Sequence, residues 1–249
     1  NTSVENQGQS ALSPIEYIME EKNTIDDKVG IFLNKSYRMH SKINDFISEN
    51  FYENRLISDD INDNQNILVG SEKINGIHLI DLNHKDSSVE NETESEYIKI
   101  IYNQLLGKSW MDKNNSKKII TEEDILVITP YNAQVINIKN KLNNNSKVGT
   151  VDMFQGQEAP IVLASYTTSS PELMGARRGS DFLFDFRRLN VSISRAKALA
   201  VVLFNKELLN YNCSNIDDIE RLNYFCKLKE NETKPEDFLR IISWKFILI

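Results

Sequence analysis

Short apolar segments that alternate with segments of helical periodicity constrain the fold of this chain more than any other feature of its sequence. Three of the apolar segments are rich in β-branched or apolar residues without polar alternation, which is typical of strands buried on both faces. Alternation of strands with helices predicts an α/β fold, a mainly parallel sheet flanked by helices. The predicted strands are 77–82, 124–129 and the three buried segments 148–151, 160–166 and 198–204.

Three segments have the spacing of amphipathic helices. Apolar side chains recur three and four residues apart in the segment 41–52, which predicts a helix with Ser41 as its N-cap. A second helix is expected around 97–105, ending at Gly107, and a third over 132–142.

Two polar segments interrupt this alternation. The segment 57–72 is rich in Asp and Asn, and the segment 86–96 is acidic. Because neither can bury much apolar surface, both are predicted to be surface loops.

The charge of the chain is negative overall but unevenly distributed. The formal net charge of −7 argues against a protein whose whole surface grips nucleic acid. Between residues 175 and 200, however, the sequence has six basic residues and only two acidic ones. This excess either marks a site for anions or is the chance asymmetry of a solvated face.

Several classes of protein are excluded by simple patterns. Cys213 and Cys226 form no CxxC pair and the three histidines do not cluster, so no metal site is expected and both thiols are expected to be reduced. The sequence contains no apolar run of about 18 residues and no secretory signal pattern. We therefore expect a cytoplasmic protein without a membrane partner.

One apparent phosphate-binding motif does not qualify. Gly107, Lys108 and Ser109 match the last letters of a P-loop, but Tyr102 stands where that loop needs its first Gly. The segment also follows a predicted helix, whereas a P-loop follows a strand. Since no other P-loop and no Asp-Glu pair after an apolar strand occur, the chain is predicted not to bind and hydrolyse ATP by itself.

Four motifs carry the functional signal. A short apolar run that ends in a Gly-bearing turn, followed by a segment with its arginine on a helix, is typical of phosphate chemistry at the end of a parallel sheet. In chain order the motifs are SYRMH at 36–40, TPYNAQ at 129–134, VGTVDMFQGQE at 148–158 and RLNVSISRAK at 188–197.

In this order the motifs resemble the second RecA-like domain of superfamily 1 helicases. Their wording is closer to the 1B branch, which contains the nonsense-mediated-decay RNA helicase, senataxin and the Dna-two-type nuclease-helicases and which moves 5′ to 3′. The segment 181–203 most resembles bacterial proteins that join a RecB-like nuclease to this helicase. Ser41 departs from the pattern, since a Pro commonly follows Met-His.

The resemblance implies a nucleotide site shared with a missing domain. In such enzymes ATP and Mg²⁺ are bound mainly by the first domain, and the second domain contributes arginines and ribose contacts from across the cleft. Arg38 and Arg195 would be arginine fingers that neutralise charge on the γ-phosphate. Surface ion pairs are the alternative for both. The further nucleotide-binding positions would be Tyr37, Gly156, Gln157 and Glu158, with Glu158 on the ribose or, alternatively, an exposed capping carboxylate.

The resemblance also implies contacts with the phosphate-sugar backbone of a single strand. Such contacts hold a strand without reading its bases. For Tyr131 the alternative is an aromatic ring packed over the end of a strand. The positions that match are Pro130, Tyr131, Asn132, Thr150, Asn190 and Ser194.

Three regions and one function are expected. Residues 1–29 would connect to a missing first motor domain, because 7–19 resembles the segment located after the third helicase motif, and the Asn at position 1 suggests a piece of a longer chain. Residues 30–210 would form the second RecA-like domain, and 211–249 would be a tail of unknown role. We expect half of an ATP-dependent 5′-to-3′ translocase on single-stranded nucleic acid, DNA favoured, with a nuclease domain as a candidate partner. The alternative is an ATPase-inactive module that binds nucleic acid or protein within a nuclease or RNA-processing assembly.

Overall fold

A computed structural model of the chain describes residues 24–174 and 180–243. The predicted segment 7–19 and the arginines at 177 and 178 lie outside these residues. The strands are β1 (Lys35–Ser36), β2 (Ile57–Ser58), β3 (Asn66–Val69), β4 (Glu72–Ile74), β5 (Gly76–Ile80), β6 (Ser109–Met111), β7 (Lys117–Ile119), β8 (Ile125–Ile128), β9 (Lys147–Gly149), β10 (Ala159–Ser165) and β11 (Ala196–Leu203). The α-helices are α1 (Ser41–Phe51), α2 (Glu92–Leu105), α3 (Asn132–Lys141), α4 (Ser180–Leu183), α5 (Phe186–Ile193), α6 (Ile216–Leu228) and α7 (Pro235–Ser243).

A five-stranded parallel sheet forms the centre of the fold, in the order β5-β11-β10-β8-β9. Each of its strands corresponds to one predicted from the sequence. The one clear difference is at 148–151, where β9 ends at Gly149 and Val151 begins a 3₁₀ turn. The predicted α/β class with a mainly parallel sheet is confirmed.

Helices cover both faces of this sheet, which explains why its inner strands lack polar alternation. All seven residues of β10 are buried, and successive side chains enter different hydrophobic clusters. Ile161 and Leu163 pack with α2, α3 and α7, whereas Val162 and Ala164 pack with α1, α5 and α6.

The helix at 41–52 is confirmed, but its predicted N-cap is wrong. His40 precedes the helix with an extended backbone, and its Nδ1 accepts a hydrogen bond from the backbone N–H of Lys42 at 3.2 Å. Ser41 is the first helical residue, and its N–H donates to Asp63. A neutral imidazole thus takes the place of the usual hydroxyl or carboxylate cap.

The segment 57–72 is not a surface loop, as the sequence suggested. It contains β2, a 3₁₀ turn at Asp60–Asn64 and β3, which lies in an antiparallel sheet of order β4-β3-β6-β7. Ile67 and Val69 are buried in the core. Asn62 is also buried, and its amide nitrogen donates to the carbonyl of Ser36, which makes burial of this polar group possible. The Asn-rich composition supplies hydrogen bonds that end strands, and therefore does not indicate solvent exposure.

The segment 86–96 is only partly a loop. Helix α2 begins at Glu92 within it, with Asn91 as N-cap, and Glu94 is 1% exposed. The prediction was wrong because composition does not distinguish a buried carboxylate from an exposed one. Only hydrogen-bond partners elsewhere in the fold make burial of Glu94 possible.

Gly107, Lys108 and Ser109 join α2 to the antiparallel strand β6, and Gly107 has φ +77°. As predicted from the sequence, this is a turn that ends a helix and not a phosphate loop between a strand and a helix.

Part of the predicted tail packs against the region 30–210. Phe225 and Leu228 of α6 and Phe238 of α7 are fully buried in the two hydrophobic clusters. The backbone N–H of Thr233 donates to the carbonyl of Leu79 in the edge strand β5 at 2.8 Å. Residues 211–243 therefore contribute to the same core as the central sheet.

Candidate functional site

Three of the four motif segments converge at the amino-terminal edge of the central sheet. Glu158 directly precedes β10 and Arg195 directly precedes β11, and these strands are neighbours in the sheet. The backbone N–H of His40 donates to the carbonyl of Lys197 at 2.8 Å, which anchors the loop that carries Arg38 against β11. The tertiary structure thereby builds one cluster from segments far apart in sequence.

Arg38 is half-exposed and held by two hydrogen bonds. Its Nε donates to Glu158 Oε2 at 2.5 Å, and its Nη1 donates to the carbonyl of Ser194 at 3.3 Å. Lys197 forms a second ion pair with Glu158 at 2.9 Å. Partial burial raises the pKa of Glu158, but Lys197 and Arg38 more than offset this, so that its pKa lies below the ordinary value. The carboxylate is therefore charged at neutral pH.

Arg195 is the more unusual of the two arginines, because it is 7% exposed and forms no ion pair with any residue that the structure describes. Its guanidinium donates only to backbone carbonyls, those of Gln157 at 2.9 Å and Val151 at 3.4 Å. Its Nε has no hydrogen-bond partner within the described ranges. Burial lowers the pKa of Arg195 and the neighbouring Arg38 lowers it further, against the opposing effect of Asp152.

The sequence placed the arginine of this motif on a helix. Arg195 lies instead in the turn between α5 and β11. A turn position fixes the side chain by the carbonyls around it, and the result is a buried cation that forms no direct ion pair with a carboxylate of the described residues, although Asp152 is near enough to act on its pKa. Such a group favours an anion that enters the site.

The other residues predicted to bind nucleotide lie near Arg38 or Arg195. A cavity of about 450 Å³ is lined in part by Tyr37, Arg38 and Glu158. Tyr37 is 59% exposed, so its ring is accessible. Gly156 has φ +78°, which L side chains rarely adopt, and it allows the turn that presents the Gln157 carbonyl to Arg195. Gln157 thus acts through its backbone.

The predicted strand-binding residues Pro130, Tyr131, Asn132 and Thr150 lie at the opposite edge of the sheet, at the carboxyl ends of β8 and β9. A backbone hydrogen bond of 3.1 Å from the N–H of Thr129 to the carbonyl of Gly149 holds the two ends together. Ligands of open α/β sheets commonly bind at this edge. Asn132 is exposed there.

The side chain of Tyr131 is only 4% exposed, and its ring lies 5.5 Å from that of Phe182. This geometry favours the alternative, an aromatic packed over a strand end. Ser194 lies at the amino-terminal edge of the sheet, because its carbonyl accepts from Arg38. Asn190 is within α5 and has a buried Oδ1 that has no partner among the described residues.

The sequence did not reveal a buried polar network at the carboxyl edge. Glu94 accepts from Ser165 Oγ at 2.5 Å and from the backbone N–H of Thr167 at 3.1 Å, and lies 2.8 Å from His84 Nε2. His84 Nδ1 lies 2.7 Å from Ser169 Oγ. The carboxylate thus connects helix α2 to the turn after β10. Asn91 at the N-cap, three residues before Glu94, was the available sequence signal.

Two absences concern the described part of the chain only. No group of three His, Cys, Asp or Glu side chains there could hold a metal ion. None of the helices at 24–174 and 180–243 has the length and apolar character needed to cross a bilayer. Cys213 and Cys226 are both free thiols.

Comparison with known proteins gives the family of the chain. The family described as "AAA domain" matches residues 12–207. "Helicase sen1" of Schizosaccharomyces pombe is 32% identical over 245 residues, which cover 86% of this chain and 14% of that protein. "DNA polymerase alpha-associated DNA helicase A" of Saccharomyces cerevisiae is 29% identical over 213 residues, covering 74% of this chain and 29% of that protein. "RNA helicase Mov10l1" of Mus musculus is 40% identical over 95 residues, covering 36% and 8%.

The chain therefore belongs to the AAA domain family and is a helicase domain of superfamily 1. It spans less than a third of the length of each of these relatives. The predicted resemblance to superfamily 1 helicases is confirmed, whereas the closer resemblance to nuclease-helicase fusions stays a prediction.

Proposed function

We propose that this chain is the second motor domain of an ATP-dependent helicase and supplies Arg38 and Arg195 to a triphosphate held by a first domain. The observation that carries this proposal is the buried guanidinium of Arg195, which has no ion pair among the described residues and lies beside a second arginine. Two cations in one cluster repel each other until an anion binds between them. A phosphate would remove that repulsion and accept from the partnerless Nε.

The residues of the cluster suggest how binding and release are coupled. ATP supplies the negative charge that develops during hydrolysis, and a planar guanidinium fixed before reaction stabilises that charge. Arg38 would exchange the Glu158 carboxylate for phosphate oxygens when the cleft closes. Glu158, still paired with Lys197, would then be free to accept from ribose hydroxyls. Opening of the cleft would restore the Arg38 ion pair.

At the opposite edge, Asn132 and the backbone around Thr150 would hold the phosphate-sugar backbone of a single strand. We propose movement from 5′ to 3′, because the motif wording is that of the 1B branch, and DNA as the favoured substrate, because 181–203 resembles nuclease-linked helicases. The partners would be a first RecA-like domain with its P-loop and Mg²⁺ ligands, and a nuclease domain. Strand-displacement assays with 5′- and 3′-tailed DNA and RNA duplexes test both substrate and direction.

The first prediction concerns Arg195. In a protein that joins this chain to a P-loop domain, Arg195→Ala should lower single-strand-stimulated ATP hydrolysis by about a thousandfold while ATP binding is retained, since a finger acts on the transition state. Arg240→Ala is a matched control, because Arg240 is 68% exposed on α7 and pairs only locally with Asp237.

The measurements are steady-state ATPase rates and equilibrium binding of a fluorescent ATP analogue. Normal turnover by Arg195→Ala would show that the finger assignment is wrong. If the unmodified protein binds oligonucleotides but does not hydrolyse ATP, the alternative of an ATPase-inactive binding module gains support instead.

A further inference from the structure

A second cavity, of about 200 Å³, shares Tyr37, Arg38 and Glu158 with the cavity described above. Its far wall is the hairpin formed by β6 and β7, which contributes Trp110, Lys113 and Lys118. None of the four motifs includes these residues. The hairpin is attached to the motif loop, because Lys113 Nζ donates to the carbonyl of Tyr37 at 3.3 Å.

The acidic groups of this cavity are already paired. Asp112 accepts from the backbone N–H groups of Asn114 and Ser116 and forms an ion pair of 2.8 Å with Lys118. Glu158, the other carboxylate of the lining, is paired with Arg38 and Lys197. Because hydrogen bonds and ion pairs use these oxygens, the carboxylates do not repel an incoming anion as free ones would.

The cations of the cavity exceed its carboxylates. Arg38, Lys113, Lys118 and Lys197 line it against Asp112 and Glu158, which leaves two positive charges in excess on a chain of net charge −7. Lys113 forms no ion pair within the described residues, since its ammonium contacts only the Tyr37 carbonyl. The local potential therefore favours an anion.

Trp110 provides an independent indication of a ligand. The residue is 5% exposed and lines the cavity, and its indole Nε1–H has no hydrogen-bond partner among the residues that the structure describes. A buried donor without a partner is costly, on the order of 1–3 kcal/mol, and marks a place where an acceptor is missing. The lining thus combines several donors with two carboxylates that are already paired.

We propose that this cavity is a phosphate-binding subsite in which Lys113, Lys118 and the indole N–H of Trp110 hold a phosphate group beside Arg38. A phosphate carries several acceptor oxygens and negative charge, which match the ammonium and indole donors. A nucleotide is the favoured source, because Arg38 and Glu158 line both cavities; this choice of source rests on the proposed function. The hairpin would then add its donors to that of Arg38 on the same nucleotide.

The test uses tryptophan fluorescence of the 249-residue chain. Trp244, the second tryptophan, lies outside the described residues, and Trp244→Phe leaves Trp110 as the sole reporter. Titration with pyrophosphate, ATP or an abasic oligodeoxynucleotide at constant ionic strength should give a saturable change. Lys113→Ala should weaken binding about tenfold, and Lys113→Arg should restore most of it.

Lys117→Ala is the matched control, since Lys117 is exposed on the same hairpin and does not line the cavity. No saturable response to any probe, or equal weakening by Lys117→Ala and Lys113→Ala, would overturn the proposal. A response to pyrophosphate and ATP assigns a nucleotide, whereas a response to the oligonucleotide alone assigns a strand phosphate. The titration requires neither hydrolysis nor a first domain, so it can fail while the Arg195 experiment succeeds, and the reverse.

Discussion

Glu94 shows how one buried side chain can organise the carboxyl edge of the central sheet. Its carboxylate accepts from Ser165 and from the backbone of Thr167, a β-branched residue with φ +60° and no exposure. That conformation costs on the order of 1–3 kcal/mol and persists only where the surroundings enforce it. The strained turn lies at the edge that also carries Asn132, and Glu94 is the residue that holds it.

Replacing this carboxylate should therefore destabilise the protein strongly. We expect Glu94→Ala to lower the free energy of unfolding by about 3 kcal/mol, because it leaves the Thr167 N–H and Ser165 hydroxyl without an acceptor. Glu90→Ala, an exposed position just before the helix, should stay within about 0.5 kcal/mol of the parent. Urea denaturation measures both values, and similar values for the two variants would contradict the role given to Glu94.

His40 predicts a pH dependence of stability. Burial lowers its pKa below the ordinary 6.5, against the opposing effect of Asp63. The unfolded chain consequently takes up this proton first as the pH falls. The stabilisation by neutral His40 is complete above pH 6.5 and decreases as the pH falls from there toward the lower pKa of the folded state.

Asn keeps a cap acceptor without titrating, so His40→Asn should reduce the slope of stability against pH between about 5 and 7. The measurement is urea unfolding at several pH values. The pKa of His78 is also lowered by burial, but it contributes equally to both proteins. An unchanged slope in His40→Asn would show that the cap does not titrate in this range.

Among the elements, α6 shows that a segment outside all motifs can complete the core. Phe225 is fully buried, with its ring 5.6 Å from Tyr166, 5.3 Å from Phe184 and 5.1 Å from Phe204. Tyr166 and Phe204 directly follow β10 and β11. The helix thus closes the apolar layer over the carboxyl ends of two central strands, beside the strained turn.

Phe225→Ala should lower the free energy of unfolding by about 3–5 kcal/mol, the usual cost of removing a buried aromatic ring. Ile219→Ala on the same helix is the matched control, because Ile219 is 57% exposed and should change stability by about 0.5 kcal/mol or less. Chemical denaturation measures the free energy of unfolding of both variants. Equal stability would mean that α6 is dispensable for the core.

In the molecule as a whole, the parallel sheet separates the two edges to which we assign functions. The arginine cluster precedes β10 and β11, while the predicted strand contacts follow β8 and β9. The seven residues of β10 span about 23 Å at ~3.3 Å per residue. Because helices pack on both faces of the sheet, the two edges are joined through the hydrophobic clusters on either side of it.

A comparison of two substitutions on α3 tests whether nucleic acid is held locally or by overall charge. Asn132→Asp and Asn140→Asp each add one negative charge at an exposed position of the same helix, the first at the predicted strand-binding edge and the second near the other end. We expect Asn132→Asp to weaken binding of a single-stranded oligonucleotide about fivefold and Asn140→Asp about twofold or less.

Fluorescence anisotropy at two salt concentrations provides the affinities. The affinity of the unmodified chain itself should be weak, since its net charge is −7. Equal effects of the two substitutions would indicate that only net charge matters and that the edge at Asn132 holds no strand.

The sequence by itself determined the strands of the central sheet and the family to which the motifs belong. Runs such as 160–166 specify a strand buried on both faces because hydrophobic periodicity is a local property. The motifs of Arg38 and Arg195 can be recognised because each is one continuous stretch of sequence. Only the tertiary structure decided that Arg38 pairs with Glu158, that the Ser194 carbonyl accepts from Arg38, and that Glu94 is buried among hydrogen-bond partners whereas the indole N–H of Trp110 is buried without one among the described residues. The physical reason is that the environment of a charge depends on the groups that the folded chain brings near it, often a hundred residues away, and no local pattern records those groups.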